Sequence, residues 1–339
     1  MDFKIHDFID ERALLQSHEL MAACFKDRSA LSLDFLRWFY LENPFGTGFG
    51  SMVHDKESAV SQVCVIPQQM SFNGETRRVG LVVNACTLAQ YQRRGLLSEN
   101  IRLITEEAGR RGFHFLYLFP NPASFGGFIK NNFSVVQELS LEVAPVDYRG
   151  IVRELMHKER FETLATTEDL EVSLPEGTNF KPVSVDETGA TGLQPARLPE
   201  NSWYVPLTRE QLNWRYLSHP TRRYHAWRHM PTGETVVVRF INLYGMSSCV
   251  LMKTSCADRH KFNRIMRDLK VACKGLVSFI TMFHSGLNSG LFSLLAHGRL
   301  IVPSWLAPRK FPLIFYPLQH APSGRLPRFE LSIGDNDAI

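Results

Sequence analysis

The chain has 339 residues, 44% of them hydrophobic and 21% charged, with a net charge of +4. Such a length points to two domains, each able to bury its own core. The composition is that of a soluble globular protein, and the charge is too small to argue for a nucleic-acid partner. No apolar run reaches the ~20 residues of a membrane helix, and the first residues, Met1-Asp-Phe-Lys-Ile-His-Asp-Phe8, lack the basic start and apolar core of a secretory signal. A cytoplasmic chain without a membrane span is expected. Cys24, Cys64, Cys86, Cys249, Cys256 and Cys273 form no C-x-x-C pair. The spacing therefore signals neither zinc nor a redox dithiol; no metal is expected, and reduced core thiols are.

In chain order, Phe3–Phe8 reads as a short strand and Glu11–Phe25 as a helix, with Leu14, Leu15, Leu20, Met21 and Cys24 at helical spacing. Ser32 is placed to cap a second helix, Leu33–Leu41, which Pro44 and Gly46 stop. Gly50–Asp55, Ser58–Ile66 and Gln68–Phe72 read as strands, and Asn73-Gly74 is a hairpin signal leading into the apolar run Gly80–Leu88. A basic turn follows, Gln92-Arg-Arg-Gly-Leu-Leu97, and then an amphipathic helix, Leu96–Arg111. The strand Phe113–Phe119 runs into Pro120-Asn-Pro-Ala-Ser124, a short helical pattern to Phe133, and a strand Val135–Val143.

The turn carries the chemistry. Glycine at a strand-to-helix junction lets backbone approach a ligand closely. The first N–H groups of a helix have no intrahelical partner and sit at the positive end of its dipole, so an anion binds there. Arg93 and Arg94 add positive charge. The spacing is neither that of a P-loop nor G-x-G-x-x-G. A surface turn with two solvated arginines would use the same residue types.

Gln92-x-x-Gly95 resembles the [QR]-x-x-G-x-[GA] signature of GNAT acyltransferases, with Leu97 at the position of the final Gly or Ala. Phe128-Ile-Lys-Asn-Asn-Phe133 is similar to the family's F-x-K-x-G-F. The resemblance implies that acetyl-CoA or another acyl-CoA is held by Cys86, Thr87, Leu88, Gln92, Arg93, Arg94, Gly95, Leu96 and Leu97, with Asn121, Ser124 and Phe128 beside it. The arm of the cofactor would pair with the preceding strand, and amides near Ala85–Thr87 would polarise the thioester carbonyl. A Tyr often protonates the leaving thiolate in this family. None lies on the corresponding helix here, and Asn121 and Ser124 are the candidate catalytic donors. Glu42, Asn43 and Phe45 would line the acceptor side. Cys86 as a nucleophile is weighed against a small packing residue, and packing is preferred.

Asp147–Phe161 reads as a helix, and Thr166–Pro206 is irregular. Trp214-Arg-Tyr-Leu-Ser-His-Pro220 then repeats the W-x-Y-L-x-x-P of Trp38-Phe-Tyr-Leu-Glu-Asn-Pro44. Strands are expected over 224–229, 234–241, 246–254, 276–283 and 299–302, with helices over 257–273 and 287–297, the same order again. Thr254-Ser-Cys-Ala-Asp-Arg-His-Lys261 has no glycine where the first half has its basic turn. The expectation is an α/β protein with mixed sheets, two tandem GNAT-like copies of which the second is degenerate. The domains would be 1–145 and 206–339, with 146–205 as linker. Arg328–Asp337 resembles the ending of tandem GNAT proteins associated with bacterial surface-polysaccharide and amino-sugar pathways.

Two functions follow. One is an acyl-CoA-dependent N-acetyltransferase acting on a small-molecule amine such as an amino sugar. The other is a catalytically inactive tandem-GNAT scaffold or ligand-binding protein. The sequence fixes neither a general base nor an oligomeric state.

Overall fold

The computed structural model describes residues 1–25, 32–156, 169–183, 201–243, 246–284, 298–302, 311–318 and 327–335. The first stretch is β1 (Asp2–Asp7), α1 (Glu11–Cys24), α2 (Leu33–Tyr40), β2 (Phe49–Asp55), β3 (Ser58–Phe72), β4 (Glu75–Thr87), α3 (Leu96–Arg110), β5 (Phe115–Leu118), α4 (Pro122–Lys130) and β6 (Ser134–Leu139). Then come β7 (Leu141–Pro145), α5 (Tyr148–Met156), β8 (Phe180–Pro182), β9 (Ser202–Tyr204) and α6 (Arg209–Leu212), which runs into a π turn. The last elements are β10 (His225–His229), β11 (Glu234–Leu243), β12 (Met246–Thr254), α7 (Arg259–Ala272), β13 (Phe279–Phe283), β14 (Leu300–Ile301), β15 (Phe311–Pro317) and β16 (Arg328–Glu330). The helix expected over 287–297 lies outside the described residues.

Local chemistry sets these boundaries. Ser32 caps α2 by accepting from Phe35 N, and Asn121 caps α4 by accepting from Ser124 N. Asn73 and Gly74, both at positive φ, join β3 to β4. The two strands expected on either side of Pro67 are a single strand. Pro67 is tolerated because β2 pairs with β3 no further than Phe49↔Val65. Beyond that point Pro67 stands opposite Gly80 in the ladder to β4, and its carbonyl accepts from the Asn43 side chain at 2.8 Å.

The chain forms two compact units that do not coincide with its two halves. The first comprises Met1–Glu138, His219–Thr221 and Phe311–Arg328, and the second Leu139–Ser218, Arg222–Lys310 and Phe329–Ile339. In the first unit the sheet runs β1-β2-β3-β4-β5-β15-β6, with β4 and β5 parallel and β15 antiparallel to β5. In the second it runs β14-β7-β13-β12-β11-β10-β8, with β12 and β13 parallel and β7 antiparallel to β13. β9 and β16 are off this path of the first sheet, β9 pairing with β3 and β16 with β9; each sheet thus draws on both halves of the sequence. The strand expected over Val135–Val143 is two strands, divided at Ser140 between the two sheets. Val135 in the first is exposed, whereas Ala144 in the second joins the core of the second unit.

The first core packs Phe49, Val63, Val65 and Val82 of the sheet against Ile101, Ile104 and Ala108 of α3 and Phe128 of α4. The second packs Val236, Val238, Cys249, Leu251 and Ile280 against Phe262, Ile265, Met266 and Leu269 of α7. Lys253 and Asp335 form a buried ion pair at 2.7 Å in the second unit.

Candidate acyl-CoA cleft

Within the first unit, β4 and β5 pair only at Gly80↔Leu116 and Leu81↔Tyr117 and then part. Two features of β4 drive the separation. Between Gln62↔Cys86 and Cys64↔Val83 the ladder to β3 slips by one residue, a bulge in β4. Asn84 sits in that bulge at φ 52, held by its side chain to the Tyr40 hydroxyl at 2.7 Å. Burial raises the Tyr40 pKa well above its ordinary value, so it stays a neutral hydroxyl. The last residues of β4 are left with an edge facing a cleft.

That cleft has a volume of about 450 Å³. Its walls are Ala85–Thr87 of β4, the turn Tyr91–Arg93, Gly95–Ser98 opening α3, Asn121, Ala123 and Ser124 opening α4, and Cys24 and Phe25 closing α1.

The turn has the backbone features on which an anion site is built. Arg93 at φ 63 and Gly95 at φ 78 are both left-handed, and Gly95 is the N-cap of α3. A left-handed position for a non-glycine costs of order 1–2 kcal/mol, and such strain collects at ligand sites. Glu99 N makes the first intrahelical bond, to Gly95 O at 3.2 Å. The N–H groups of Leu96, Leu97 and Ser98 thus precede the helical ladder, at the positive end of a 15-residue helix. Gln92 explains its own place in the motif: its Nε2 donates to Thr87 O at 3.3 Å and ties the turn to the strand end. Thr87 is fixed in turn through Ser61 at 2.7 Å, and Ser61 by Asn100 of α3 at 2.9 Å.

Nine of the residues expected from the sequence line this cleft: Cys86, Thr87, Gln92, Arg93, Gly95, Leu96, Leu97, Asn121 and Ser124. Arg94 does not. Its guanidinium donates to Gln90 O at 2.9 Å and lies over the Tyr91 ring, which braces the turn from behind. Leu88 packs with Val53, Val60 and Leu96, and Phe128 is buried under the cleft against Phe133. Glu42, Asn43 and Phe45 are not among the lining residues either. Glu42 is exposed, and Asn43 spends its side chain on Pro67 O and Phe45 N, closing the turn after α2. Asn121 uses Oδ1 as the cap of α4, which leaves its amide N–H₂ as the group able to donate. The Ser124 hydroxyl reaches Asn121 O at 3.3 Å.

Cys24, Phe25, Tyr91, Ser98 and Ala123 were not singled out by sequence reasoning. Cys24 and Phe25 carry no local signal, since a distant helix brings them in. Tyr91 was legible as the residue before the motif. Its hydroxyl donates to Asp55 at 2.6 Å, and that bond raises its pKa above the ordinary value. Among the described residues, no group of three or more His, Cys, Asp or Glu could hold a metal ion.

Leu97, where the motif has Gly or Ala, lies against Gly127 of α4. A Cβ on Gly127 would stand 2.4 Å from Leu97 Cδ2. Glycine inside a helix ordinarily costs about 1 kcal/mol relative to alanine; here the missing Cβ makes room for Leu97. Gly127→Ala is therefore expected to lower stability in urea denaturation. In a Leu97→Ala background the same change should raise it by about 1 kcal/mol. The same sign in both backgrounds would show that the two positions are not a packed pair.

Residues 8–132 match the family model for an acetyltransferase (GNAT) domain. This stretch is similar to a GNAT-type acetyltransferase domain. The match begins near α1 and ends at α4, so it spans every element that lines the cleft. Among solved structures, a probable N-acyltransferase from Enterococcus faecalis, a conserved protein of unknown function, aligns at a TM-score of 0.63 and 12% identity, over 94% of this chain and 73% of its own. A GCN5-related N-acetyltransferase from Anabaena variabilis aligns at 0.61 and 11%, over 94% and 73%. Saccharomyces cerevisiae N-myristoyltransferase with bound myristoyl-CoA aligns at 0.57 and 11%, over 94% and 79%. These identities carry the α/β fold alone, over nearly the whole chain. No curated protein matches the sequence. No helix among the described residues is long and apolar enough to cross a membrane.

Proposed function

We propose that the protein is an acyl-CoA-dependent N-acyltransferase that moves an acyl group, an acetyl group in the first instance, directly to the amine of a small molecule in a ternary complex. The observation that carries this reading is the cleft itself. An anion-binding helix start, with left-handed Arg93 and Gly95, stands beside a strand edge freed by the bulge at Asn84.

The residues fit an acyl-CoA. The amides of Leu96, Leu97 and Ser98 and the Arg93 guanidinium would hold its pyrophosphate, with Gly95 leaving the approach open. The edge of Ala85–Thr87 would take the extended arm as an added strand. The bound molecule supplies an activated acyl thioester. Around it, the chain orients the carbonyl with β4 amides and offers the Asn121 amide and the Ser124 hydroxyl as donors to the sulfur position. Among the described residues, no Asp, Glu or His lines the cleft. The amine is then best deprotonated through water, which a general base need not contact directly. Acetyl-CoA and a small amine, with amino sugars as the first class to test, are the proposed substrates. The cytoplasm is the proposed compartment.

The second unit is proposed to be a degenerate copy of the first. Its strand order and its single parallel pair support this, and Thr254–Lys261 replaces the glycine turn.

A thermal-shift titration with acetyl-CoA, followed by detection of free CoA thiol across an amine panel, tests the reading. A ligand that binds only the native state raises the melting temperature. The expected result is a concentration-dependent rise together with thiol release for at least one amine. A rise with no release from any amine would favour the inactive-scaffold reading. No rise with acetyl-CoA or a longer acyl-CoA would remove the cofactor assignment.

A further inference from the structure

Two thiols stand together in the wall of the cleft. Cys24 is the last residue of α1, and Cys86 lies one residue from the end of β4; both line the cavity, and neither is in a disulfide. α1 packs against β4, and the two side chains act on one another: Cys86 draws the Cys24 thiol below its ordinary pKa, whereas Cys24, and then burial, push Cys86 well up. The exposures differ in the same sense. Cys24 is half-buried, and Cys86 is only 8% exposed. A partly accessible thiol whose pKa is drawn down, beside a second, sheltered thiol, is the arrangement that oxidises reversibly. Mobility differs too. Cys86 is fixed in the ladder opposite Gln62, whereas Cys24 ends a helix, where the last turn frays.

We propose that Cys24 and Cys86 are an oxidation site, in which a peroxide converts the two thiols to a disulfide that closes the cleft. The Cys24 thiolate attacks one peroxide oxygen, the O–O bond breaks and hydroxide leaves, giving a sulfenic acid. The Cys86 sulfur then attacks the Cys24 sulfur; the S–S bond forms, and the hydroxyl leaves with the Cys86 proton as water. The thiols give up two electrons, and the peroxide takes them. A thiol reductant reverses the change. Closing the S–S bond draws the end of α1 onto the edge of β4. That is the edge an acyl-CoA would need, so this consequence, unlike the bond itself, rests on the proposed function.

The experiment treats the full-length protein with hydrogen peroxide, alkylates the remaining thiols and maps its peptides without reduction. Acetyl-CoA affinity is measured on the reduced, oxidised and re-reduced protein. The expected result is a Cys24–Cys86 cross-linked peptide, a loss of affinity of at least about tenfold, and recovery of both on reduction. Cys24→Ser, a change at a half-exposed position, should abolish both the cross-link and the peroxide sensitivity. Alkylated Cys24 and Cys86 after peroxide treatment, or a link from Cys86 to Cys64, overturns the proposal. So does a cross-linked protein whose affinity is unchanged. Failure of the reduced protein to bind acetyl-CoA would count against the acyl-CoA reading, and the peptide map alone would then decide whether the thiol pair is real.

Discussion

Gly95→Asp is expected to abolish acetyl-CoA binding while leaving the fold intact. Gly95 is the N-cap of α3 at φ 78, and a Cβ there would meet no protein atom within 4 Å. A side chain is therefore not rejected by the core. Its cost to the fold is backbone strain of about 1 kcal/mol, and Asp is among the residues that tolerate the left-handed region best. As an N-cap, Asp would even favour the helix. The space it enters is the space a phosphate needs, and its charge has the wrong sign for that role. Affinity should fall at least about 100-fold, close to 3 kcal/mol, by isothermal titration. Gly95→Ala brings the strain and a methyl group without the charge, and should lose far less. A folded Gly95→Asp variant with unchanged affinity would remove the phosphate cradle.

Residues 1–150 alone are expected not to fold, although they contain the whole cleft. The sequence places a domain boundary near residue 145, yet the sheet that supports the cleft is completed by β15, inserted between β5 and β6. Phe311, Leu313, Ile314 and Phe315 of that strand are 3%, 0%, 0% and 6% exposed. Each such side chain contributes about 1.5–3 kcal/mol on burial. Four of them approach the entire stability of a domain, about 5–15 kcal/mol. Removing β15 also leaves the pairing edge of β5 open, from Phe115 to Leu118. The fragment should show no cooperative melt and no response to acetyl-CoA. The same fragment carrying residues 311–318 on a flexible linker should recover a cooperative transition. A cooperative melt of residues 1–150 alone would show that β15 is dispensable.

The sequence by itself determined what depends on near neighbours. Ser32 and Asn121 cap their helices because a side-chain oxygen reaches an amide three residues on. Asn73-Gly74 turns because both positions accept positive φ. The basic turn was legible for the same reason: Gln92, Arg93 and Gly95 act on a strand end and a helix start adjacent to them. So the elements, the turn and the family resemblance could all be read from spacing.

Tertiary structure alone decided what depends on distant pairing. Val135–Val143 reads as one apolar strand, because alternation reports that a face is buried without saying in which core. Only the two sheets divide it at Ser140 and bring β15 back across the sequence. Pro67 reads as a strand break, yet it lies within β3, beyond the last pair of that strand with β2, Phe49↔Val65. Leu97 looked like a weakened motif until Gly127 was found beneath it. Cys24 carried no signal at all. A cysteine on the apolar stripe of a helix is indistinguishable from any other core thiol, and its meeting with Cys86 in the cleft depends on how α1 packs against β4.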